Sequence, residues 1–320
     1  MRAPFELDLH VPNFNYPDVA PDALFEKLVE IAQAAEASGF SSLSLMDHLH
    51  QIGPVGPPEN YMFDGNTMLA AIAARTSSIH LGLLVGGVTY RNPALVAKIT
   101  TTLDIISGGR AVLGLGAAWF EEEHKAYGFE FPPLKTRFEY LEDALNITRA
   151  MFTQDVATYA GKHFHVDGAF NNPKPIRGDI PILIGGSGER KTLRFVAKYA
   201  DGSNLFGDVE RVKHLLGVLE GHCSDVGRDP AEITKTRMGT VFIAPTHEAA
   251  EAKFKAVAGD SEEARARAFV GDPGEVAAQV QEYLDAGLNG ITITMPDVHD
   301  IESVKLAGET LGAVIGTRAR

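Results

Sequence analysis

Cysteine is nearly absent: Cys223 is the one cysteine in 320 residues. That excludes a disulfide within the chain and a thiolate metal cluster, and a reducing compartment fits. Long apolar runs are missing too. No segment approaches the roughly 20 apolar residues of a membrane span, and the opening Met-Arg-Ala-Pro-Phe-Glu-Leu-Asp lacks the unbroken apolar stretch of a signal peptide. Positive charge is scarce, with 29 Lys and Arg against 42 Asp and Glu, a net charge of −13. Such a surface does not attract phosphate backbones, so a nucleic-acid partner is disfavoured, although a small anion needs only a local site. These absences point to a cytoplasmic protein that works on small molecules.

What is present is a globular composition, 45% apolar and 22% charged, arranged as strand then helix to the end of the chain. The expected strands are Phe5 to Phe14, Ser42 to Met46, Ile79 to Val85, Arg110 to Leu115, Pro181 to Ile184, Gly202 to Phe206, Lys235 to Ala244 and Ile291 to Met295. Helices fill the intervals. Leu24, Leu28, Ile31 and Ala35 share one face of the first, which Gly39 stops. Asn92-Pro93 reads as an N-cap followed by proline at the first helical position. Thr136 and Glu139 have the spacing of a capping box, Ala157 to Val166 forms a hairpin outside the repeat, and Asp272 introduces a helix from Pro273. Eight such units in a chain of this length favour a single-domain (β/α)8 TIM barrel over residues 1–320, with insertions after strand four and before strand eight.

Chemistry in such a barrel sits where strands end and helices begin. The residues there are His10 and Asn13, Asp47-His48, Gly86-Gly87-Val88-Thr89, Gly116-Ala117-Ala118-Trp119, Gly185-Gly186-Ser187-Gly188 and Asn204. The small residues leave room for a broad flat ligand against the backbone. Gly185 to Gly188 precedes a helix, where free N–H groups hold an anion such as phosphate; the same glycines also suit a tight turn and nothing more. Histidine as a residue type titrates near neutral pH, so a histidine at position 48 suits proton transfer, with Asp47 beside it to orient it; the plain alternative is a structural aspartate. Position at a strand's C-terminal end favours the functional reading. His10, His48 and His50 raise a metal-dependent hydrolase as an alternative, but the later strands end in Gly, Ala, Asn and Pro, so no metal is expected. Trp119 either stacks on a ligand ring or packs under the long loop, and the run Glu121-Glu122-Glu123 reads as a solvated helix start.

Four stretches, taken together, resemble the luciferase-like oxidoreductases, in particular the branch that uses coenzyme F420, a deazaflavin. They are Ser44-Leu45-Met46-Asp47-His48; Leu83 to Thr89 with Arg91-Asn92-Pro93; Gly108-Gly109-Arg110 through Gly114 to Trp119; and Pro181 to Gly186 through Ala200-Asp201-Gly202. The resemblance implies a barrel, usually a homodimer, with the cofactor ring over the ends of strands two to four against Asp47, Gly86, Gly87, Val88, Thr89, Gly116, Ala117 and Ala118. It implies phosphate on Gly185, Gly186, Ser187 and Gly188, a non-proline cis peptide at Gly87-Val88, and His48 as acid or base oriented by Asp47. His10, Trp119 and Asn204 are the residues expected to face substrate. An FMN-dependent monooxygenase of the same superfamily is the alternative. One departure stands out: the sugar-phosphate dehydrogenases of that group carry a glutamate as proton donor after the strand-four glycines, where this chain has Trp119.

Overall fold

The computed structural model describes residues 4–316. Along the chain β1 (Leu7–Val11), α1 (Leu24–Ser38), β2 (Ser42–Leu45), α2 (Gly65–Ala73) and β3 (His80–Leu83) are followed by the two-residue β4 (Gly86–Gly87), α3 (Pro93–Ser107) and β5 (Ala111–Gly116). Next come α4 (Glu121–Tyr127), α5 (Leu134–Thr153) and the hairpin β6 (Ala157–Ala160) and β7 (His165–Ala169). The second half holds β8 (Ile182–Gly185), α6 (Thr192–Tyr199), β9 (Gly202–Leu205), α7 (Val209–Val226) and β10 (Thr234–Ile243). It ends with α8 (His247–Ala258), α9 (Glu262–Arg267), β11 (Ala268–Gly271), α10 (Pro273–Asp285), β12 (Ile291–Thr294) and α11 (Ile301–Gly316).

β1, β2, β3, β5, β8, β9, β10 and β12 pair in parallel, and β12 returns to β1, so eight strands close the barrel. The insertions lie where the sequence places them: α4 and the β6–β7 hairpin after the fourth barrel strand, and the α8 to α10 segment before the eighth. Two strands were not expected, the two-residue β4 and β11. β11 pairs with β10 beside the ring, its run Ala-Phe-Val-Gly being too short to separate from a helix end.

The register explains the sequence pattern. Asp8 lies opposite Ser42, His10 opposite Ser44, and Ser44 opposite Gly82. Period-two alternation therefore turns Asp8, His10, Ser42, Ser44, Gly82 and Thr292 into the barrel, and Leu7, Leu9, Leu43, Leu45 and Ile291 out against the helices. The outward residues join one continuous core with Leu28, Ile31, Ala307 and Leu311 of α1 and α11. β1, β2 and β12 are thus apolar on one face only. Their interior face is small and polar, with Phe5, Val112 and Leu183 forming a separate apolar cluster inside the ring.

Caps fix the helices. Asn92 accepts from Ala94 N–H ahead of Pro93, and Asp272 forms a full capping box with Glu275. The capping box expected at Thr136 is absent. α5 starts at Leu134, so Thr136 lies inside the helix, and Glu139 instead binds Lys162 and His163 of the hairpin turn. Arg110 is buried and structural. Its guanidinium donates to the carbonyls of Ala73, Thr76, Ile79 and Ser107, which ties the ends of α2 and α3 to the start of β5. This clamp sits at the end of the barrel away from the strand C-termini.

Candidate active site

The end of β2 carries Asp47 and His48, and the structure gives them separate partners. Asp47 is buried; its carboxylate accepts from Arg91 Nη1 at 2.7 and 2.9 Å and from the Gly87 N–H at 3.0 Å. Arg91 also reaches Asp64, the N-cap of α2, at 2.8 Å. Asp47 therefore braces the β4 segment. Burial pushes its carboxyl up to about 6, with Arg91 pulling the other way. The expected role of orienting His48 does not fall to Asp47, because its oxygens face Arg91 and Gly87.

Glu123 takes that place. It is fully buried on α4, and its Oε2 lies 3.0 Å from His48 Nδ1. The same oxygen accepts from the Tyr90 hydroxyl, while Oε1 accepts from the Leu49 and His50 N–H groups at 2.5 and 3.2 Å. Burial works to raise the acid, but these hydrogen bonds prevail and hold it down to about 2. An ionised carboxylate only accepts, so His48 Nδ1 carries a proton and donates it. Nε2 is left without a partner among the described residues. The ring stands edge-on to Trp119 and Phe120, with centroids 5.6 and 5.8 Å away. The reading of Glu123 as part of a solvated helix start is thus corrected. A run of three glutamates gives no hint which one turns inward, and only the fold brings residue 123 to residue 48.

The wall next to His48 is aromatic. Trp119 stacks on Phe120 at 5.1 Å, Phe120 meets His50 at 5.3 Å, and His50 stacks on Tyr127 at 6.2 Å. Trp119 is 58% exposed, which rules out packing under the long loop. Behind this wall, His124 donates from Nδ1 to the Phe120 carbonyl and accepts the Thr89 hydroxyl at Nε2, 2.6 Å away.

The backbone at the strand ends is held from behind. A non-proline cis peptide is present, but at Leu84-Val85 rather than at Gly87-Val88. It follows directly on the end of β3, and Val85 packs against the apolar cluster inside the ring. Val85 occupies the space that a Cβ at Gly116 or Gly185 would need, at 2.8 and 3.0 Å. Those two glycines therefore make room for Val85. Val88 is buried and donates its N–H to Gly116 O, so only its backbone borders the mouth. Gly86 and Gly87 form β4, and a Cβ at Gly87 would strike the Tyr90 ring at 2.7 Å. Ala118 stands at φ 58°, and Arg137 grips the carbonyls of Ala117 and Ala118 at 3.3 and 2.5 Å.

At the end of β8, Gly186 takes φ 109°, and Thr192 Oγ1 would lie 2.8 Å from a Cβ at Gly188. Ser187 Oγ accepts from Phe206 N–H, so the loop is fastened to the end of β9. The amides of Ser187 and Gly188 have no partner among the described residues, and Arg190 two positions on makes no ion pair there. The turn thus presents two backbone N–H groups with no partner among the described residues.

His10 lies inside the barrel, its Nδ1 3.0 Å from Ser44 Oγ. Asn204 is not a mouth residue: it is buried and donates both amide hydrogens, to Thr236 and Thr292 at 2.9 and 3.0 Å. Its expected contact with substrate is withdrawn, because the side chain is spent on crosslinking the barrel interior. Asn13 accepts from Asn15 in a local turn. Among the described residues, no group of three or more His, Cys, Asp or Glu is placed to hold a metal ion, and no helix is long and apolar enough to cross a membrane.

Known proteins resemble this chain in sequence and in fold. An F420-dependent glucose-6-phosphate dehydrogenase of Amycolatopsis mediterranei is 28% identical over 303 residues, covering 86% of this chain and 90% of that protein. A pyrimidine monooxygenase of Stutzerimonas stutzeri is 30% identical over 249 residues, 75% of this chain and 66% of the relative. The coenzyme F420-dependent tetrahydromethanopterin reductase of Methanopyrus kandleri superposes with a TM-score of 0.78 at 19% identity, over 97% of this chain and 99% of that one, and so shares its fold. The luciferase-like monooxygenase model matches residues 6–268, and the chain belongs to that family.

Proposed function

We propose that this protein is a coenzyme F420-dependent oxidoreductase that exchanges a hydride between the deazaflavin and a small organic substrate at the mouth of the barrel. The observation that carries the reading is His48: its Nδ1 is anchored on a buried, ionised Glu123, and its Nε2 has no partner among the described residues at the end of β2. The F420-dependent relatives support the choice of cofactor.

The residues present fit such a group. Ser187 and Gly188 offer free amides for a phosphate, with Gly185 and Gly186 giving the turn its shape and Arg190 adding charge. Gly86, Gly87, Val88, Thr89, Gly116, Ala117 and Ala118 supply a backbone shelf for the ring, held by Asp47 through Gly87 and by Arg137 through Ala118. Bound there, a deazaflavin supplies a carbon that takes or returns a hydride and does not readily activate oxygen. His48 then gives or takes a proton at Nε2, and Glu123 holds the ring in one tautomer and orientation. Trp119, Phe120 and Tyr127 shield one side from water and offer a flat apolar surface to the substrate. That surface departs from the acidic side chain carried at the position of Trp119 in the sugar-phosphate enzymes, so a sugar phosphate is not the substrate proposed here.

The composition supports a cytoplasmic setting, and the family resemblance supports a single-domain chain acting as a homodimer. An FMN-dependent monooxygenase is the second reading, favoured by the monooxygenase relative. Titrating the protein with F420 and, separately, with FMN, followed by fluorescence, separates the two. Micromolar binding of F420 in preference to FMN is expected. Preference for FMN would move the protein to the oxygenases.

A further inference from the structure

Tyr90 stands where the backbone shelf of β4, the His48–Glu123 pair and the aromatic wall meet. Its ring lies against Gly87, where a Cβ would come within 2.7 and 2.8 Å of Cε2 and Cδ2. Its own N–H donates to the Gly87 carbonyl at 3.2 Å, while the Gly87 N–H is held by Asp47 at 3.0 Å. Both backbone polar groups of Gly87 are thus fixed, and a movement of that residue is passed to Tyr90. The ring stacks on buried His124 at 4.7 Å and meets Phe129 edge-on at 5.5 Å. Its hydroxyl donates to Glu123 Oε2, the same oxygen that receives His48 Nδ1.

We propose that Tyr90 is a positioning residue: its hydroxyl holds the Glu123 carboxylate turned to His48, and its ring couples that pair to whatever occupies the shelf at Gly87. The second half rests on the deazaflavin reading. The Leu49 and His50 N–H groups take Glu123 Oε1, so Tyr90 and His48 share Oε2. Without the hydroxyl, His48 alone would orient that oxygen. Burial and the neighbouring Glu123 carboxylate push the ionisation of Tyr90 well above the usual tyrosine range, so it stays a donor at every working pH. Burial works to raise Glu123, and hydrogen bonds from His48, Tyr90 and Leu49 hold it down to about 2 instead. The other charged and titratable groups around the pair are Asp47 and His50 at the end of β2, Arg91 beside Tyr90, and His124 on α4. Glu121 and Glu122 of α4 are exposed. Tyr90 keeps its proton throughout, and no bond is made or broken in this role. A ligand ring laid on Gly86 and Gly87 bears on backbone that Tyr90 supports, and the hydroxyl carries the displacement to the oxygen that holds His48.

The test begins with cofactor-free, full-length protein carrying 13C at the glutamate carboxyl carbon, the Glu123 signal being assigned by its loss in Glu123→Gln. In the wild type this carboxyl should stay ionised down to the lowest pH at which the protein is folded. In Tyr90→Phe its midpoint should rise by about one to two pH units. A purely structural tyrosine would lower stability and leave the midpoint in place, and that result would overturn the positioning role. The second readout is the His48 Nδ1–H resonance in 15N-histidine-labelled protein, assigned by its loss in His48→Gln. F420 should shift it in the wild type and shift it by less than half as much in Tyr90→Phe, with F420 affinity within about threefold. An equal shift in both proteins would overturn the coupling to the shelf. Absence of F420 binding by the wild type would sink the cofactor reading and the coupling with it, and is distinguishable because the Glu123 titration is read without cofactor.

Discussion

His48 and His10 stand near the ends of adjacent strands, and each is coupled to a carboxylate, but in opposite ways. His48 touches Glu123 directly, and that acid is saturated by four donors and held down to about 2. His10 reaches Asp8 only through Ser44, and that acid has an unpartnered oxygen and is raised to about 6. The difference is one of hydrogen bonding, since both acids are buried. Four donors outweigh burial at Glu123 and keep it charged, whereas at Asp8 burial outweighs the few hydrogen bonds it receives and favours the neutral acid. Two titratable pairs pushed apart in this way allow one barrel mouth to hold a side chain able to carry a charge beside one that stays neutral.

The comparison breaks most sharply at Glu123. Glu123→Ala strands the Leu49 and His50 amides, the Tyr90 hydroxyl and His48 Nδ1. Urea unfolding should register a loss of about 3–5 kcal/mol, and kcat should fall by about 10²- to 10⁴-fold with F420 still bound. Next in size is Arg91→Leu, which leaves Asp47 buried with Gly87 N–H alone. It should cost about 3 kcal/mol and weaken F420 binding, as read by the same unfolding experiment and a titration.

Asp8→Asn sharpens the contrast through pH. A carboxyl raised from 3.8 to about 6 lowers the folded protein's stability as pH climbs through that interval. Replacing Asp8 removes this decline, so the variant should gain about 2–3 kcal/mol on the wild type between pH 4 and pH 7. Glu123 has the reverse sign: its contribution is full above the ordinary glutamate value and is lost as pH falls toward about 2. The smallest structural effect belongs to Trp119→Ala. The side chain is 58% exposed, so unfolding should shift by under about 0.5 kcal/mol, while KM for an aromatic substrate rises and kcat changes little.

The barrel was legible because strand and helix alternate along the whole chain, and its strand ends pointed to the mouth. Asp8 and His10 could be placed on one face from their spacing alone. Ser44 as their link could not, because it requires the β1–β2 register. Glu123 was illegible for a similar reason: it lies 75 residues from His48 in sequence, in a run of like residues. Asp47 misled because sequence adjacency suggested contact, whereas neighbouring residues at a strand end point apart. The cis bond lies three residues before the expected one, and β3 ends at Leu83, earlier than its apolar run suggests.

The most direct test of the central claim is a stopped-flow comparison of wild type and His48→Ala, each preloaded with F420 and mixed with a hydride-donating substrate. Cofactor affinity within about threefold, together with hydride transfer slowed by about 100-fold or more, is the expected result. Undiminished hydride transfer in His48→Ala with the cofactor still bound would contradict it.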